Sequence, residues 1–398
     1  PDLIFERFKF NDPLYILFSS GTTGVPKCIV HGVGGTLIQH KKEHNLHCDI
    51  KEGERVFYFS TCGWMMWNWL ISGLASGATL MLYDGSPVLK NNENILFDYA
   101  DQEKFNIMGI SAKFLDTCRK LELNPMNSHN LSSLRMMLST GSVLNSDCFD
   151  YVYEKIKSSV CLSSISGGTD IVSCFVLGSN ILPVYRGELQ TRGLGMSVEV
   201  WDELGSPVNG RKGELVCTKT FPSKPVMFWD DKAMKKYSNS YFKRYPNIWH
   251  HGDYVKLLDN GGMVFYGRSD TTLNRGGVRI GTAEIYRQVE VLEEVFESIV
   301  VEQNWDDDSR IILFVRLKEA IQLTDDLKEK IAKQIRENTS PRHVPDLIIQ
   351  VSDIPRTKSG KIVEIAVQKA IHGLPIENKS ALENPQVLDE YHHHKELQ

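Results

Sequence analysis

The chain predicts an α/β protein, a large multi-subdomain domain followed by a small α+β C-terminal domain, and three observations predict it. Short apolar runs alternate with helical periods up to about Gly267, the arrangement of a sheet with crossover helices. Over 197–219 the pattern turns to brief strands between tight turns, a β-rich subdomain. After Arg268 an amphipathic segment, two strands and a charged helix follow one another. With 398 residues, 41% apolar and 24% charged, the chain is long enough for more than one core. The division expected is a large domain over 1–269 and a small one over 270–398.

In chain order, strands are expected at 16–18, 56–59, 80–82, 136–138 and 162–165, with helices at 112–121 and 147–157. No charge occurs over 56–83, a length that could span a membrane. Ser72-Gly73 and Ser76-Gly77 interrupt it, so a buried helix followed by a short strand over 79–82 is the expectation. The β-rich part places strands at 198–201 and 214–217 around Gly205-Ser206-Pro207 and Asn209-Gly210 turns. Beyond Arg268 come a helix near 283–292, strands at 298–301 and 311–317, and a helix over 324–338. Thr324 is its expected N-cap, with Asp325 and Asp326 in the first turn where the helix dipole favours negative charge.

A net charge of −5 supplies no basic field for nucleic acid or anionic membrane. Eight cysteines without a Cys-x-x-Cys pair fit a reducing compartment. The opening residues are too charged for a signal peptide and run almost at once into a strand, so the chain reads as truncated at its start.

The chemistry begins at Ser19-Ser20-Gly21-Thr22-Thr23-Gly24-Val25-Pro26-Lys27, directly after a strand. Small residues let backbone N–H groups approach a polyphosphate, hydroxyls add donors and Lys27 adds a cation. It is not a Walker A loop, because Pro26 precedes the lysine and Cys28 follows it. The bland alternative is a flexible surface loop.

This run resembles the phosphate loop of the adenylate-forming enzymes, the acyl-CoA synthetases, luciferases and peptide-synthetase adenylation domains. Further matches follow in that family's order. Thr169-Asp170 resembles the pair whose acid helps hold Mg²⁺, with aspartate one methylene shorter than the usual glutamate. His250-His251-Gly252-Asp253 resembles the motif whose carboxylate takes the ribose hydroxyls. Gly267-Arg268-Ser269-Asp270 resembles the domain junction, Arg268 near ribose and phosphate and Asp270 the hinge. The segment 274–281 resembles the one that opens the C-terminal domain, and implies that Gly277 and Arg279 face CoA or nucleotide. Pro355-Arg356-Thr357-Lys358-Ser359-Gly360-Lys361 resembles the loop ending in the catalytic lysine. The resemblance also places Gly141 and Ser142 among the ATP/AMP-binding residues.

The resemblance implies ATP, Mg²⁺ and CoA, a two-step acid-thiol ligation through an acyl-adenylate, and a mobile C-terminal domain that serves both steps. A carboxylate attacking an α-phosphate is anion meeting anion, so Lys361, Lys27 and Mg²⁺ offset the repulsion. Members of the family carry a further region ahead of the phosphate loop.

The acid is implied by a second set of matches. Gly63-Trp64-Met65-Met66-Trp67-Asn68-Trp69, the run 82–87 and the run 164–170 resemble the acetoacetate-activating branch. Acetyl-activating members carry a tryptophan two positions before the motif threonine, and this chain has Gly167 there. An acyl pocket between Gly167 and Trp64, Met65 and Met66 is therefore expected. Competing readings are a synthetase for another short-chain acid and an inactive or scaffold fragment. A zinc site at His40-Lys41-Lys42-Glu43-His44, with His47 nearby, is a weaker one, because a polar helix is the commoner source of that spacing. Gly32-Val33-Gly34-Gly35 lacks the third glycine and ribose acid of a dinucleotide fingerprint.

Overall fold

The structure is a computed structural model and describes residues 4–19, 27–275, 278–305, 308–358, 360–376, 379–392 and 394–397. It divides into two compact units. One comprises 4–19, 27–251 and 256–264; the other comprises 252–255 and the described residues from 265 onward.

In the first unit, a five-stranded parallel sheet is built from β3 (Arg55–Tyr58), β4 (Thr79–Met81), β5 (Ile107–Ser111), β6 (Met136–Thr140) and β7 (Cys161–Ser164) in the order β4-β3-β5-β6-β7. A parallel sheet is covered on both faces, which explains why its strands read as continuous apolar runs. Alternate residues part to opposite sides. Phe57, Met108, Ile110, Met137 and Leu162 pack with Leu96, Phe97, Phe114, Leu115, Phe149 and Val152 from the crossover helices. Val56, Tyr58, Ile107, Met136 and Leu138 pack with Met65, Met66, Trp69 and Leu70 of the helix Met65–Ile71. Each such fully buried side chain contributes about 1.5–3 kcal/mol over exposure.

The expected strands at 56–59, 80–82, 136–138 and 162–165 are there to within a residue or two at each end, and 107–111 is a strand the pattern did not announce. Gly109 hides it, since a glycine weakens a strand reading. The glycine is needed there: a Cβ would lie 2.1 Å from the Tyr58 ring on the neighbouring strand. The uncharged stretch folds as the helix Met65–Ile71, a 3₁₀ turn Ser72–Ser76 and β4. No helix among the described residues is long and apolar enough to cross a membrane. The segment 147–157 is helical, with an α-helix Ser146–Tyr151 widening into a π turn Val152–Ile156.

Three smaller sheets complete this part of the chain. β1 (Pro13–Phe18), β2 (Cys28–Gly32) and β13 (Met227–Phe228) form one; β8 (Ser166–Gly168), β9 (Ser173–Leu177) and β10 (Thr191–Arg192) form another. The β-rich segment is β11 (Val198–Trp201) and β12 (Lys212–Cys217), continued by β14 (Trp249–Leu257) and β15 (Met263–Arg268).

In the second unit, β16 (Leu273–Arg275) pairs with β17 (Val278–Ile280), and β18 (Val295–Trp305), β19 (Asp308–Leu317) and β20 (Leu347–Gln350) form a three-stranded sheet. One face carries Val300, Leu313 and Val315 against Ile285, Val289, Leu327, Ile331 and Ile335. The other carries Ile299, Ile312 and Phe314 against Val367, Ala370 and Tyr391. The helix Asp325–Asn338 starts as its sequence announces, with Thr324 Oγ1 accepting from the Leu327 N–H at 3.2 Å.

Candidate active site

Ser19 follows β1 and Lys27 leads into β2. Ser19 N–H donates to the Lys27 carbonyl at 3.1 Å and Lys27 N–H to Ser19 Oγ at 3.0 Å, so the two close the base of the glycine-threonine loop. Ser20, Gly21, Thr22, Thr23 and Gly24 lie outside the described residues. From that base the Lys27 Nζ reaches 3.0 Å to Asp170 Oδ1.

Asp170 sits in the turn between β8 and β9, which Ile171 N–H and Val172 N–H close on the carbonyls of Gly168 and Thr169. Its carboxylate is the centre of a cationic, aromatic setting. The Tyr241 hydroxyl donates to the same Oδ1 at 2.5 Å, while the Tyr241 ring stacks on Trp249 at 3.8 Å and lies 5.0 Å from Lys27 Nζ. Burial alone would raise the Asp170 pKa. The charges of Lys27 and His251, with hydrogen bonds from Tyr241 and Lys27, outweigh it and hold the carboxyl well below the usual range. His31 on β2 fixes the neighbouring residue by donating from Nε2 to the Thr169 carbonyl at 3.0 Å. Burial pushes the His31 pKa down to about 4, against the Thr169 bond and the Asp170 charge, so the ring is neutral near pH 7.

Gly168 keeps the other side of this carboxylate clear. A Cβ there would sit 3.2 Å from the His251 ring and 3.6 Å from Asp170 Oδ2, filling the space beside the second oxygen.

Gly167 has a different reason to be glycine from the one its sequence position implies. A Cβ at 167 would lie 2.1 Å from the Ser173 carbonyl oxygen and 2.4 Å from Cys174 Cα, because β8 presses on β9 at a bulge. A side chain at 167 would therefore meet backbone, which gives this glycine a packing reason independent of any acyl pocket. Met65 and Met66 are buried in the core of the parallel sheet. Trp64 is partly exposed, its ring 3.8 Å from the Cβ position of Gly141, whose φ of +100° suits glycine. Ser142 follows, exposed.

The remaining sequence candidates belong to the second unit. Arg268 bridges two acids, with Nη1 3.2 Å from Asp253 Oδ1 and Nε 3.5 Å from Asp270 Oδ1. Gly252, at φ +83°, permits it, since a Cβ would stand 2.6 Å from an Arg268 nitrogen. Arg279 lies over the Tyr254 ring at 4.5 Å and donates to the Thr272 hydroxyl and the Ser269 carbonyl, which secures the short turn carrying Asp270. Gly277 is outside the described residues.

Lys361 closes a tight loop. Thr357 N–H donates to the Lys361 carbonyl at 2.9 Å, Lys361 N–H to Thr357 Oγ1 at 3.1 Å, and Gly360 takes φ +80°. Arg356 anchors that loop, donating to the Gly360 carbonyl at 3.2 Å and pairing with the buried Glu297.

The structure therefore gathers Ser19, Lys27, Thr169 and Asp170 in one unit and Asp253, Arg268, Asp270 and Arg279 in the other. Tyr241 is the member that sequence reasoning missed, since a tyrosine ending a polar helix carries no motif.

A family model described as AMP-binding enzyme matches residues 5–223, and one described as AMP-binding enzyme C-terminal domain matches residues 290–361. Acetoacetyl-coenzyme A synthetase of Rhizobium meliloti (strain 1021) is 61% identical over 387 residues, 97% of this chain and 59% of that protein. Acetoacetyl-CoA synthetase of Gallus gallus is 50% identical over 401 residues, 100% of this chain and 60% of that protein. The solved acetoacetyl-CoA synthetase from Streptomyces lividans matches with a TM-score of 0.92 at 41% identity, covering 98% of this chain and 60% of that one. An anthranilate CoA ligase, 20% identical with a TM-score of 0.80, shares the fold. The chain spans about 60% of the length of the acetoacetyl-CoA synthetases it matches. With the first family model alone matching more than half of its residues, the chain belongs to the AMP-binding enzyme family.

Proposed function

We propose that this chain carries the acid-activating and thioester-forming machinery of an acetoacetate–CoA ligase, which converts acetoacetate, ATP and CoA to acetoacetyl-CoA, AMP and pyrophosphate through an acyl-adenylate. The observation that carries the reading is the Lys27–Asp170 pair held at the base of the glycine-threonine loop. The likeness to acetoacetyl-CoA synthetases supports the choice of acid.

In the first step the acetoacetate carboxylate attacks the α-phosphate and pyrophosphate leaves. The loop residues Ser19 to Gly24 supply backbone and hydroxyl donors to the phosphates, and Lys27 supplies positive charge on release from Asp170. Asp170, ionised through the neutral range and with a clear second oxygen, fits Mg²⁺, which takes one or two carboxylates together with substrate phosphates. When bound, Mg²⁺ supplies charge neutralisation at the triphosphate. Asp253 accepts the ribose hydroxyls, as an acceptor-only group suits two O–H donors, and Arg268 orients it. Gly141 and Ser142 line the nucleotide, and Trp64 beside Gly141 bounds the acyl group.

Lys361 is assigned to the charge that develops at the α-phosphate. In the second step the CoA thiol attacks the acyl carbonyl and AMP leaves. Asp270 is assigned the backbone rotation that exchanges Lys361 for the CoA-facing Gly277 and Arg279 segment. The eight cysteines are all unpaired, which fits a reducing compartment such as the cytosol.

ATP–pyrophosphate exchange with acetate, propionate, butyrate and acetoacetate tests the proposal. Acetoacetate should support the fastest exchange. Faster exchange with any of the other three overturns the choice of acid, and none with any of the four overturns activity in this chain.

A further inference from the structure

The motif His40-Lys41-Lys42-Glu43-His44 has zinc-site spacing, yet among the described residues no cluster of three or more potential metal ligands occurs. Its two histidines and its glutamate are buried in protein instead. His40 is fully buried, with Nε2 2.6 Å from the Val172 carbonyl and Nδ1 2.9 Å from Ser72 Oγ. A carbonyl can only accept, so the ring proton is on Nε2. Glu43, equally buried, accepts from Trp69 Nε1 at 2.9 Å, from the Ser173 hydroxyl and from Gln39 Nε2 at 3.3 Å. Gln39 donates also to Ser173 Oγ at 2.9 Å. Positions 40 and 43 lie one turn apart on a helix, which accounts for their spacing without a metal.

These bonds converge on one short segment. His31 takes the carbonyl of Thr169, His40 that of Val172, and Glu43 the hydroxyl of Ser173. Asp170 lies between the first and second. Val172 has φ +47°, a conformation that is unfavourable for a β-branched residue and persists only where surroundings over-determine it.

We propose that His40 and Glu43 are positioning residues that lock the 169–173 turn in its strained form and so aim the Asp170 carboxylate. They act through backbone and hydroxyl contacts and touch no substrate. The strain explains why the anchors are buried: a relaxed Val172 would rotate the turn and carry Asp170 away from Lys27. The inference rests on the adenylation reading only for the role of Asp170; the anchoring itself is independent of it.

Three variants of the chain separate positioning from simple core packing. His40→Gln keeps a donor near the Nε2 position, His40→Met keeps bulk without a donor, and Glu43→Gln keeps shape without charge. Two measurements apply: amide hydrogen exchange over 169–175 without metal or nucleotide, and the Mg²⁺ concentration that half-saturates ATP binding, referenced to metal-free ATP affinity. His40→Met and Glu43→Gln should each speed exchange over 169–175 by about tenfold, the loss of one hydrogen bond. They should raise half-saturating Mg²⁺ several-fold while metal-free ATP affinity holds, and His40→Gln should recover both values. Wild-type exchange over 169–175 in both disruptive variants overturns the proposal, as does faster exchange with an unchanged Mg²⁺ requirement. If these changes occur while no acid supports pyrophosphate exchange in the wild-type chain, the proposed function falls and the positioning stands.

Discussion

Lys27 and Asp170 stand 143 positions apart in the chain and pair at 3.0 Å. The pair decides the charge state of the carboxyl, because burial pulls its pKa up and the lysine, foremost among its neighbours, pulls it down. A carboxyl depressed in the folded state contributes stability above its unfolded pKa, and that stability is lost as pH falls through the folded value. Lys27→Met should let burial prevail and move Asp170 upward, so the variant should be less stable than wild type near neutral pH and lose less stability than wild type as pH falls through the carboxylate range. Urea unfolding from about pH 7 to about pH 3, spanning ordinary carboxylate titration, checks this.

Tyr241→Phe keeps the stack on Trp249 and removes only the hydroxyl on Asp170. A hydrogen bond to a charged group is worth about 1.5–3 kcal/mol, so pyrophosphate exchange should fall by about 10- to 100-fold. The melting temperature should fall by several degrees at most, the loss of one such bond in a chain of this size. An unchanged exchange rate would remove Tyr241 from the site.

Gly167→Ala should destabilise the large unit by about 2 kcal/mol, because its methyl must push the Ser173 carbonyl away from 2.1 Å. Denaturant unfolding measures it. Gly167→Trp should then disrupt folding in general, with turnover of every acid lost together. If turnover of a shorter acid survives while that of acetoacetate is lost, the clash has been absorbed and Gly167 does gate chain length.

Acid should weaken the fold through its histidines. Burial lowers His31 to about 4 and His44, set against the Trp69 ring, to about 3. The unfolded chain binds those protons near pH 6.5 and the folded chain does not, so stability should fall between about pH 6.5 and pH 4. His44→Phe should flatten that slope. A slope equal to wild type would mean that His44 takes up its proton without unfolding.

Arg356→Ala should cost the C-terminal unit about 3–5 kcal/mol by leaving Glu297 charged and buried. Replacing both partners together, Arg356→Met with Glu297→Gln, should cost less. A double-mutant cycle followed by denaturant unfolding reads the difference.

The sequence made the sheet strands legible because a strand buried on both faces has an unbroken apolar run, as at 136–138. It concealed 107–111, where Gly109 yields its side-chain space to the Tyr58 ring. The Thr324 cap was legible because capping is local. The loop ending at Lys27 and the Thr169-Asp170 pair were legible because phosphate chemistry restricts residue types. Tyr241 and the anchoring by His40 and Glu43 were not. Those contacts join residues 71 and some 130 positions apart, and nothing in the helical spacing of 40 and 43 tells a metal ligand from a buried brace.

The order β4-β3-β5-β6-β7 places β3 between two strands that both follow it in the chain. As the polypeptide emerges during synthesis, Arg55–Tyr58 acquires its first neighbour with Met81 and its second only with Ser111. Until then an apolar, hydrogen-bonding edge is open to other chains, the condition under which nascent parallel sheets aggregate. Expression at lowered temperature, or with a chaperone that shields unpaired strands, should raise the yield of folded protein more than any surface substitution.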